Sequence, residues 1–383
     1  MTSQYTFDAV IFGGGMVGAT LAKGLARQGK NIAIVEPHIP QFDITTPAPD
    51  LRVSAISLGS ENLLRELGIW SGLQKLRLKV YDTLSVWELP EFKTQFMASE
   101  LQLSHLGHLM ENVHLQQAAL MSLDEHDCVS MFASGSLIDA KSGEVELDGK
   151  VSQAKVIVAA DGGNSPLRQQ MQFPISGWQY QQQVFAINIK LECDSGNHTW
   201  QQFFETGPRA FLPLYGQYAS LVWYCAPEQV NLLKSLSDNE LEAEICASFP
   251  ALSAQFTILK TASFPLKRLH AHQYVKDRVV LVGDAAHIIN PLAGQGVNLG
   301  FQDVSALLNA LGKLTESNVS SVLKDYEAAR KFQNLKMMSV MDGFYAGFSN
   351  QHLPLKALRN IGLALADKAG TLKNMALKQA LGI

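Results

Sequence analysis

The sequence is poor in cysteine, and its few thiols are scattered. The four cysteines are Cys128, Cys193, Cys225 and Cys246, and no two of them form a C-x-x-C pair. This spacing argues against a disulfide framework and against a cysteine-based zinc site. It fits a protein of a reducing compartment.

Charge of one sign and long hydrophobic runs are also missing. Charged residues make up 17% of the 383 residues and the net charge is −4, so there is no basic field to attract nucleic acid. No apolar run approaches the roughly 18 residues that cross a bilayer, and we expect no signal peptide because a strand-like run starts close to Met1. The composition predicts a packed, cytoplasmic protein of about two domains. Contact with the surface of the inner membrane stays open.

The first pattern that is present lies near the N-terminus. A short apolar run is followed by Gly13, Gly15 and Gly18 in a G-x-G-x-x-G arrangement, then by helical spacing and a second apolar run that ends in Glu36. In a dinucleotide-binding βαβ unit, the glycines form the turn and let the backbone approach a pyrophosphate. The helix N-terminus faces the phosphates, and the acid accepts the ribose hydroxyls. The alternative is a structural glycine turn in an ordinary α/β protein.

Two later predicted strands are also followed by an acidic residue in a turn of small residues. The first ends in Asp161-Gly162, and an acid past a parallel strand points into the crevice where such sheets bind ligands. The alternative is an Asp-Gly turn with Ser165 as a helix cap.

The second of these strands ends in Gly283-Asp284, and a loop rich in small residues follows it. Such loops let backbone N–H groups approach a ligand closely. His287 in this segment is either a general base or a loop-positioning residue, and we favour the positioning role because the sequence places no partner beside it. The loop residues of interest are Pro291, Gly294, Gln295, Gly296 and Asn298.

These three motifs, in this order and at this spacing, resemble the class A flavoprotein aromatic hydroxylases, the para-hydroxybenzoate hydroxylase-like group. Within that group the chain is similar to the ubiquinone-biosynthesis hydroxylases, and the resemblance covers nearly the whole chain. It implies an α/β fold with a Rossmann-like FAD-binding domain, a second antiparallel-sheet substrate domain and a helical C-terminus. The stretches that carry the finer resemblance are 178–180, 199–203, 207–214, 219–224 and 344–350.

The resemblance also implies FAD as the cofactor and assigns roles to residues at matching positions. Glu36 would bind the adenosine ribose, and Arg52 the flavin or its phosphates. Gln116 would lie near the ribityl chain and Asp284 would hold the ribityl hydroxyls. Asp161 and Gly162 would lie on the pyrophosphate side, and the residues Pro291, Gly294, Gln295, Gly296 and Asn298 would line the isoalloxazine ring.

The implied reaction is hydroxylation of the ring of a polyprenylated benzoquinol in ubiquinone biosynthesis, with O2 as co-substrate and a flavin C4a-hydroperoxide as the oxidant. It requires no metal and no protein nucleophile, and we expect no metal here. No catalytic base can be assigned. Because there is no second G-x-G-x-x-G, NAD(P)H or another electron donor would act as a transient reductant. Other biosynthetic proteins are further candidate partners.

Other functions remain open. A sister hydroxylase acting at another ring position or on another phenol would share the same motifs. Another flavoenzyme chemistry is a second alternative, although the W-x-W-x-I-P pattern of the halogenases is missing. The third is a flavin-binding component of a quinone-synthesis complex that has no turnover.

Consecutive strand-like runs between 185 and 224, without helices between them, predict the antiparallel sheet. Arg209, Phe211, Pro213 and Trp223 are the candidate residues for sandwiching a quinol ring, the alternative being that they are plain core. The predicted FAD-binding domain comprises 1–77, 103–177 and 266–350. The predicted substrate domain comprises 78–102 and 178–265, and 351–383 is a C-terminal helical segment.

The C-terminal segment combines basic and apolar residues at helical spacing. Its five cations outnumber its single acid, Asp367, which gives a net charge of +4. The segment either lies on an anionic membrane surface or a partner protein, or packs on the core with a solvated basic face. The cations are Lys356, Arg359, Lys368, Lys373 and Lys378.

Overall fold

The computed structural model describes residues 6–39, 48–252, 254–290, 294–349 and 353–383. Its strands, numbered in chain order, are β1 (Phe7–Phe12), β2 (Ile32–Val35), β3 (Val53–Ser57), β4 (Leu78–Tyr81), β5 (Thr83–Trp87), β6 (Thr94–Met97), β7 (Gly107–Glu111), β8 (Val129–Phe132), β9 (Gly135–Asp139), β10 (Glu144–Leu147), β11 (Lys150–Ala159), β12 (Ile175–Leu191), β13 (His198–Gln202), β14 (Arg209–Pro213), β15 (Tyr218–Cys225), β16 (Phe256–Ala271), β17 (Val275–Lys276), β18 (Val279–Leu281) and β19 (His287–Ile288).

The helices are distributed along the whole chain. They are α1 (Met16–Arg27), α2 (Leu58–Glu66), α3 (Trp70–Leu73), α4 (Asn112–Met121), α5 (Pro166–Gln170), α6 (Pro227–Ser235), α7 (Asp238–Ser248), α8 (Gly296–Leu311), α9 (Val319–Phe348), α10 (Leu353–Lys368) and α11 (Thr371–Leu381).

The first large sheet has the order β17-β18-β11-β1-β2-β8, with β10 and β9 added beside β11. The four pairings among β18, β11, β1, β2 and β8 are parallel. β1 and β2 are almost wholly buried, which is why they read as continuous apolar runs: helices cover both faces of such a sheet. A separate three-stranded sheet has the order β3-β7-β4. The predicted Rossmann-like unit is confirmed.

The second large sheet has the order β19-β16-β12-β15-β14-β13-β5-β6. β12 and β16 pair antiparallel from Ile175 opposite Ala271 to Leu191 opposite Phe256, with a bulge between Gln179 and Gln183. Helices α6 and α7 pack on one face of this sheet through a cluster that includes Phe185. The predicted antiparallel sheet is therefore confirmed, and its other face remains available to line a site.

The C-terminal segment is helical, as predicted, and docks on the β5–β6 end of the second sheet. Nε of Arg359 donates to Oε2 of Glu88 at 2.7 Å, and Nζ of Lys373 donates to Oε1 of Glu100 at 2.8 Å. Lys356 lies 3.9 Å from the same carboxylate of Glu88, so three of the five tail cations face acids of the protein itself. In the part of the chain that the structure describes, no helix has the length and apolar character to pass through a membrane.

The strands run across the domain limits that we predicted. β4 pairs with β7 in the small sheet, although 78–102 was assigned to the substrate domain. β12 begins at Ile175 and β16 continues to Ala271, beyond the limits of 178 and 265. We therefore propose that the substrate domain takes strand β12 and strand β16 whole and leaves β4 to the FAD-binding domain.

Candidate flavin site

The N-terminal turn has steric requirements that only glycine meets. Gly13 has φ +104°, and a Cβ there would lie 2.4 Å from the carbonyl oxygen of Ala160. A Cβ on Gly18 would lie 1.9 Å from the carbonyl oxygen of Gly13. Gly15 has nothing within 4 Å of such a Cβ and lines a cavity. Gly13 and Gly18 thus allow the turn to close, while Gly15 keeps the space above it open.

Two helices begin at this cavity. α1 begins after Gly15 and α8 begins after Gln295, and neither of these two N-cap residues forms a side-chain capping hydrogen bond with the described residues. Met16, Gly294 and Gly296 line the cavity beside these starts. The first N–H groups of a helix have no partner within the helix, so two sets of donors face the cavity. This is a suitable environment for phosphates and for a polar ring edge.

Glu36 is oriented by the glycine turn. Its Oε2 accepts a hydrogen bond from the N–H of Gly14 at 2.7 Å, and its Oε1 accepts one from the N–H of His38 at 2.9 Å. Nε2 of Gln116 donates to the carbonyl oxygen of Gly14 at 3.0 Å, so Gln116 supports the same turn, and it also lines the cavity.

Asp284 projects into the cavity, where Arg52 is also found. The carboxyl group is accessible from the cavity, but the surrounding protein replaces most of its hydration, which raises its pKa, and His287 and Arg52 only partly oppose this. A group that gives up hydration in this way gains by accepting hydrogen bonds from a bound ligand.

Asp161 lies against the glycine turn, since a Cβ on Gly13 would come within 2.9 Å of its Cα. Burial raises its pKa, and Oδ2 accepts a hydrogen bond from the N–H of Leu167 at 3.2 Å. Its Oδ1 is buried and has no partner among the described residues. Gly162 has φ +81° and lines the cavity.

Asn298 holds the glycine-rich loop against β3 and α2. Its Oδ1 accepts hydrogen bonds from the N–H of Ser57 at 3.0 Å and from Oγ of Ser60 at 2.8 Å, and its Nδ2 donates to the carbonyl oxygen of Ala55 at 2.9 Å. The amide is therefore engaged by the protein, and these bonds hold the loop in place. Pro291 lies outside the described residues.

A buried polar network lies directly behind the Asp284 turn. Nε2 of His287 is 2.6 Å from Oδ2 of Asp303, which also accepts a hydrogen bond from the N–H of Gly283 at 3.1 Å. Oδ1 of Asp303 accepts from Nε of Arg330 at 2.8 Å and from Nδ2 of Asn334 at 3.0 Å. This supports the positioning role for His287. Sequence reasoning missed Asp303 because it lies 16 residues from His287, on α8.

The cavity has a volume of about 970 Å³ and extends from the glycine turn to the second sheet. That is near the upper end of the range of small-molecule sites. The lining on the sheet side is mostly small and apolar, with a few polar groups. It includes Val184, Ala186, Ala210, Leu212, Ser220, Val222, Tyr224, Phe264 and Leu266.

The four residues predicted to hold a quinol ring do not line this cavity, which corrects the expectation. Phe211 and Trp223 belong to the core beneath α6 and α7. The guanidinium of Arg209 lies over the ring of Phe204, 3.9 Å from its centroid, and bonds the carbonyl oxygen of Ser248. Pro213 shares their face, since side chains alternate along a strand. The neighbours of these residues in the same strands face the cavity instead.

The residues therefore fit FAD: the glycine turn, two helix starts and Asp284, an acid with no hydrogen-bond partner among the described residues, surround one space. The structure brings seven predicted residues to the cavity wall and leaves Gly13, Gly18, Glu36, Asp161, Gln295 and Asn298 behind it. The seven are Gly15, Arg52, Gln116, Gly162, Asp284, Gly294 and Gly296.

A family model described as FAD binding domain matches residues 6–339 of the chain. The chain belongs to this family and is an FAD-dependent monooxygenase.

Curated relatives extend over its full length. The chain is 45% identical to the 3-demethoxyubiquinol 3-hydroxylase of Escherichia coli (strain K12), with all of both chains covered. It is 30% identical to the ubiquinone hydroxylase UbiL of Rhodospirillum rubrum, over 98% of this chain and 89% of the relative.

Solved structures share the fold at lower identity. PqsL, described as a probable FAD-dependent monooxygenase from Pseudomonas aeruginosa, superimposes with a TM-score of 0.77 at 21% identity, over 93% of this chain and 99% of that one. The p-nitrophenol 4-monooxygenase PnpA from Pseudomonas putida gives a TM-score of 0.76 at 17% identity and covers 99% of both chains.

Proposed function

We propose that this enzyme hydroxylates the ring of a polyprenylated benzoquinol in ubiquinone biosynthesis, with a demethoxyubiquinol as substrate. The observation that carries the proposal is the 45% identity over the whole length to a 3-demethoxyubiquinol 3-hydroxylase. The cavity is compatible with it, because an apolar sheet face lies opposite the Asp284 turn.

In the proposed reaction one atom of O2 enters a ring C–H bond and the other leaves as water, with two electrons from NAD(P)H or another donor. Bound FAD supplies the oxygen-activating chemistry. The protein orients the cofactor and keeps the space dry. Gly15 and the start of α1 would hold the pyrophosphate, and Glu36 the adenosine ribose. Asp284, with Arg52 and Gln116 nearby, would hold the ribityl side.

The substrate ring would lie between the glycine-rich loop and the second sheet. Ala210, Leu212 and Val222 form an apolar wall there, and the hydroxyl of Tyr224 donates to Oδ1 of Asn290 at 3.2 Å. An apolar wall excludes water from the reacting centre, which protects the reactive oxygen from unproductive release. The small side chains of Ala210 and Val222 leave room for a flat ring.

The direct test is turnover of a short-chain demethoxyubiquinol by purified, FAD-loaded protein under ¹⁸O2. We expect one labelled oxygen in the ring, detected by mass spectrometry. Fragmentation of the product locates the new hydroxyl, so a sister activity at another ring position is recognised at once. A protein that binds FAD but gives no labelled product with any quinol would instead be a non-catalytic component.

Loss of the gene gives a second readout in cells. The quinone pool should then accumulate a demethoxy-type intermediate, and expression of the wild-type gene should remove it. Expression of Asp284→Ala should remove little of this intermediate, because the variant lacks the acid that faces the cofactor space. An unchanged quinone pool would reject the assignment of this step.

We also propose that the C-terminal segment contacts the membrane in which a polyprenyl substrate resides. On α10, the side chains of Leu358, Ile361 and Leu365 are 66%, 50% and 62% exposed. They recur at helical spacing, as in helices that lie in the membrane interface. The contact that we propose is apolar, because Arg359 and Lys373 are engaged by acids of the protein.

Flotation with vesicles that contain anionic lipid tests this contact. Replacing Leu358, Ile361 and Leu365 with serine should reduce the floated fraction several-fold. The matched control replaces three exposed apolar side chains outside the C-terminal segment with serine. These are Met121, Met131 and Ile138. Equal flotation of both variants would contradict the proposed membrane contact and would leave the proposed reaction unaffected.

A further inference from the structure

A cluster of potential metal ligands lies outside the flavin site, between α2 and the segment that enters β7. Nε2 of His105 is 2.9 Å from Oε2 of Glu61, and Nδ1 of His108 is 3.0 Å from the same oxygen. The three ligand atoms all lie within 4.8 Å of one another. Glu61 and His108 are buried, and His105 is largely so.

Hydrogen bonding accounts for only part of this arrangement. Although Nδ1 of His108 lies close to the carboxylate, its geometry is not that of a hydrogen bond, and this buried atom has no hydrogen-bond partner in the part of the chain that the structure describes. A buried imidazole nitrogen in this situation costs free energy unless something else satisfies it. Its ring also packs edge-on against His105 and Trp70, so it is not free to turn toward the oxygen.

The two separations between the carboxylate oxygen and the histidine nitrogens are close to those around a small divalent ion. Zinc binds imidazole nitrogen at about 2.0–2.1 Å and carboxylate oxygen at about 2.0–2.2 Å. Neighbouring ligand atoms in a tetrahedron therefore lie roughly 3.3–3.5 Å apart. The observed separations of 2.9 and 3.0 Å widen to these values by a few tenths of an ångström. Two histidines and one carboxylate are a zinc ligand set that leaves a fourth position for water.

Neighbouring side chains orient the ligands. Oγ of Ser104 lies 2.8 Å from Nδ1 of His105, which leaves Nε2 to face the cluster. Nε of Arg65 donates to Oε1 of Glu61 at 2.8 Å, which leaves Oε2 for the ion. Such outer contacts are typical of metal sites. The Arg65 side chain is 47% exposed, so water screens much of its repulsion of a cation.

We infer that Glu61, His105 and His108 bind a divalent transition-metal ion, for which zinc is the best match. The bound ion would link α2 to β7. Ser60, the residue before Glu61, bonds Asn298 of the glycine-rich loop. Bound there, the ion would stabilise α2, the element against which the flavin loop rests. This site does not depend on the proposed reaction, and it departs from our expectation that no metal is present.

The test uses the full-length FAD-loaded protein after dialysis against a chelator. Added ZnCl2 should bind at one equivalent per chain, as measured by equilibrium dialysis with elemental analysis. A hundredfold excess over the dissociation constant should raise the melting temperature by roughly 3 °C. His108→Gln and His105→Gln should each weaken zinc binding by about a hundredfold or more, whereas His272→Gln, at a histidine outside the cluster, should bind as wild type.

Folding is checked by the melting temperature in chelator, where His105→Gln should match the wild type. His105 is the least buried of the three ligands, so it keeps the test valid if His108→Gln fails to fold. Absence of stoichiometric zinc binding, or binding that both histidine variants retain, would overturn the inference. The cluster would then be an ion-pair group around Glu61.

Discussion

Nε2 of His287 lies 2.6 Å from Oδ2 of Asp303, and both side chains are fully buried. Asp303 also accepts a hydrogen bond from Arg330. We predict that Asp303→Asn lowers the free energy of unfolding by about 3–5 kcal/mol, because it leaves Arg330 buried without a negative partner. Urea denaturation followed by circular dichroism measures this, with the exposed Asp124→Asn as control. A loss below about 1 kcal/mol would contradict a buried ion pair.

The same pair predicts a pH dependence. Burial disfavours the charged form of Asp303, but His287 and Arg330 outweigh it and hold the pKa below its usual value. A carboxyl with a lowered folded-state pKa contributes stability above its unfolded pKa of about 4, and the contribution is lost as the pH falls through the folded-state value. The stability difference between wild type and Asp303→Asn should therefore be constant near neutrality and narrow below about pH 4.

The glycine turn predicts a sharp contrast between two alanine substitutions. In Gly18→Ala the new Cβ would lie 1.9 Å from the carbonyl oxygen of Gly13, so the turn has to open. We expect bound FAD to fall at least tenfold, measured from the absorbance of the purified protein and from FAD titration. Gly343→Ala is the matched control, because nothing lies within 4 Å of its Cβ in α9. It should retain FAD and gain about 1 kcal/mol of stability.

The two faces of the second sheet predict different phenotypes. Val222→Phe places a larger side chain in the cavity, so turnover of the quinol should fall several-fold while the melting temperature changes little. Phe211→Ala empties part of the core under α6 and α7, and should cost about 3–5 kcal/mol of stability. Steady-state kinetics and denaturation of the two variants separate these effects. Normal turnover by Val222→Phe would show that the ring binds elsewhere.

The docking of α10 depends on Arg359 and Glu88. Arg359 and Asn360 outweigh the burial of Glu88 and hold its pKa below the usual value. Arg359→Ala should therefore expose the C-terminal segment to limited proteolysis at neutral pH, unlike the control Lys368→Ala. Because the Glu88 pKa is lowered, the contact contributes above about pH 4.3 and is lost at lower pH. Identical digestion of wild type and Arg359→Ala at pH 7 would contradict this docking.

Much of the flavin site could be predicted because its motifs are local. The glycine turn, Glu36 and the acids at the strand ends follow from short-range spacing and from the rule that ligands bind at the carboxyl ends of parallel strands. Asp284 and Gly15 accordingly line one cavity.

The remaining features depend on contacts that spacing does not reveal. Large residues such as Trp223 drew attention in the second sheet, but a cavity is lined by residues small enough to leave space, such as Ala210. The alternation of side chains along a strand defines its two faces, but it does not show which face packs on the core. Asp303 and the group around Glu61 come together only through tertiary packing, as does the pairing of β4 with β7.

The pairing of β12 with β16 has a mechanical consequence. This ladder runs nearly the full length of both strands, and β16 also pairs with β19, three residues beyond Asp284. The strand that follows the Asp284 turn and the strands that line the opposite side of the cavity thus belong to one hydrogen-bonded sheet, interrupted by the bulge between Gln179 and Gln183. We therefore expect the sheet side of the cavity to move little relative to the Asp284 turn, because both are attached to the same ladder of backbone hydrogen bonds.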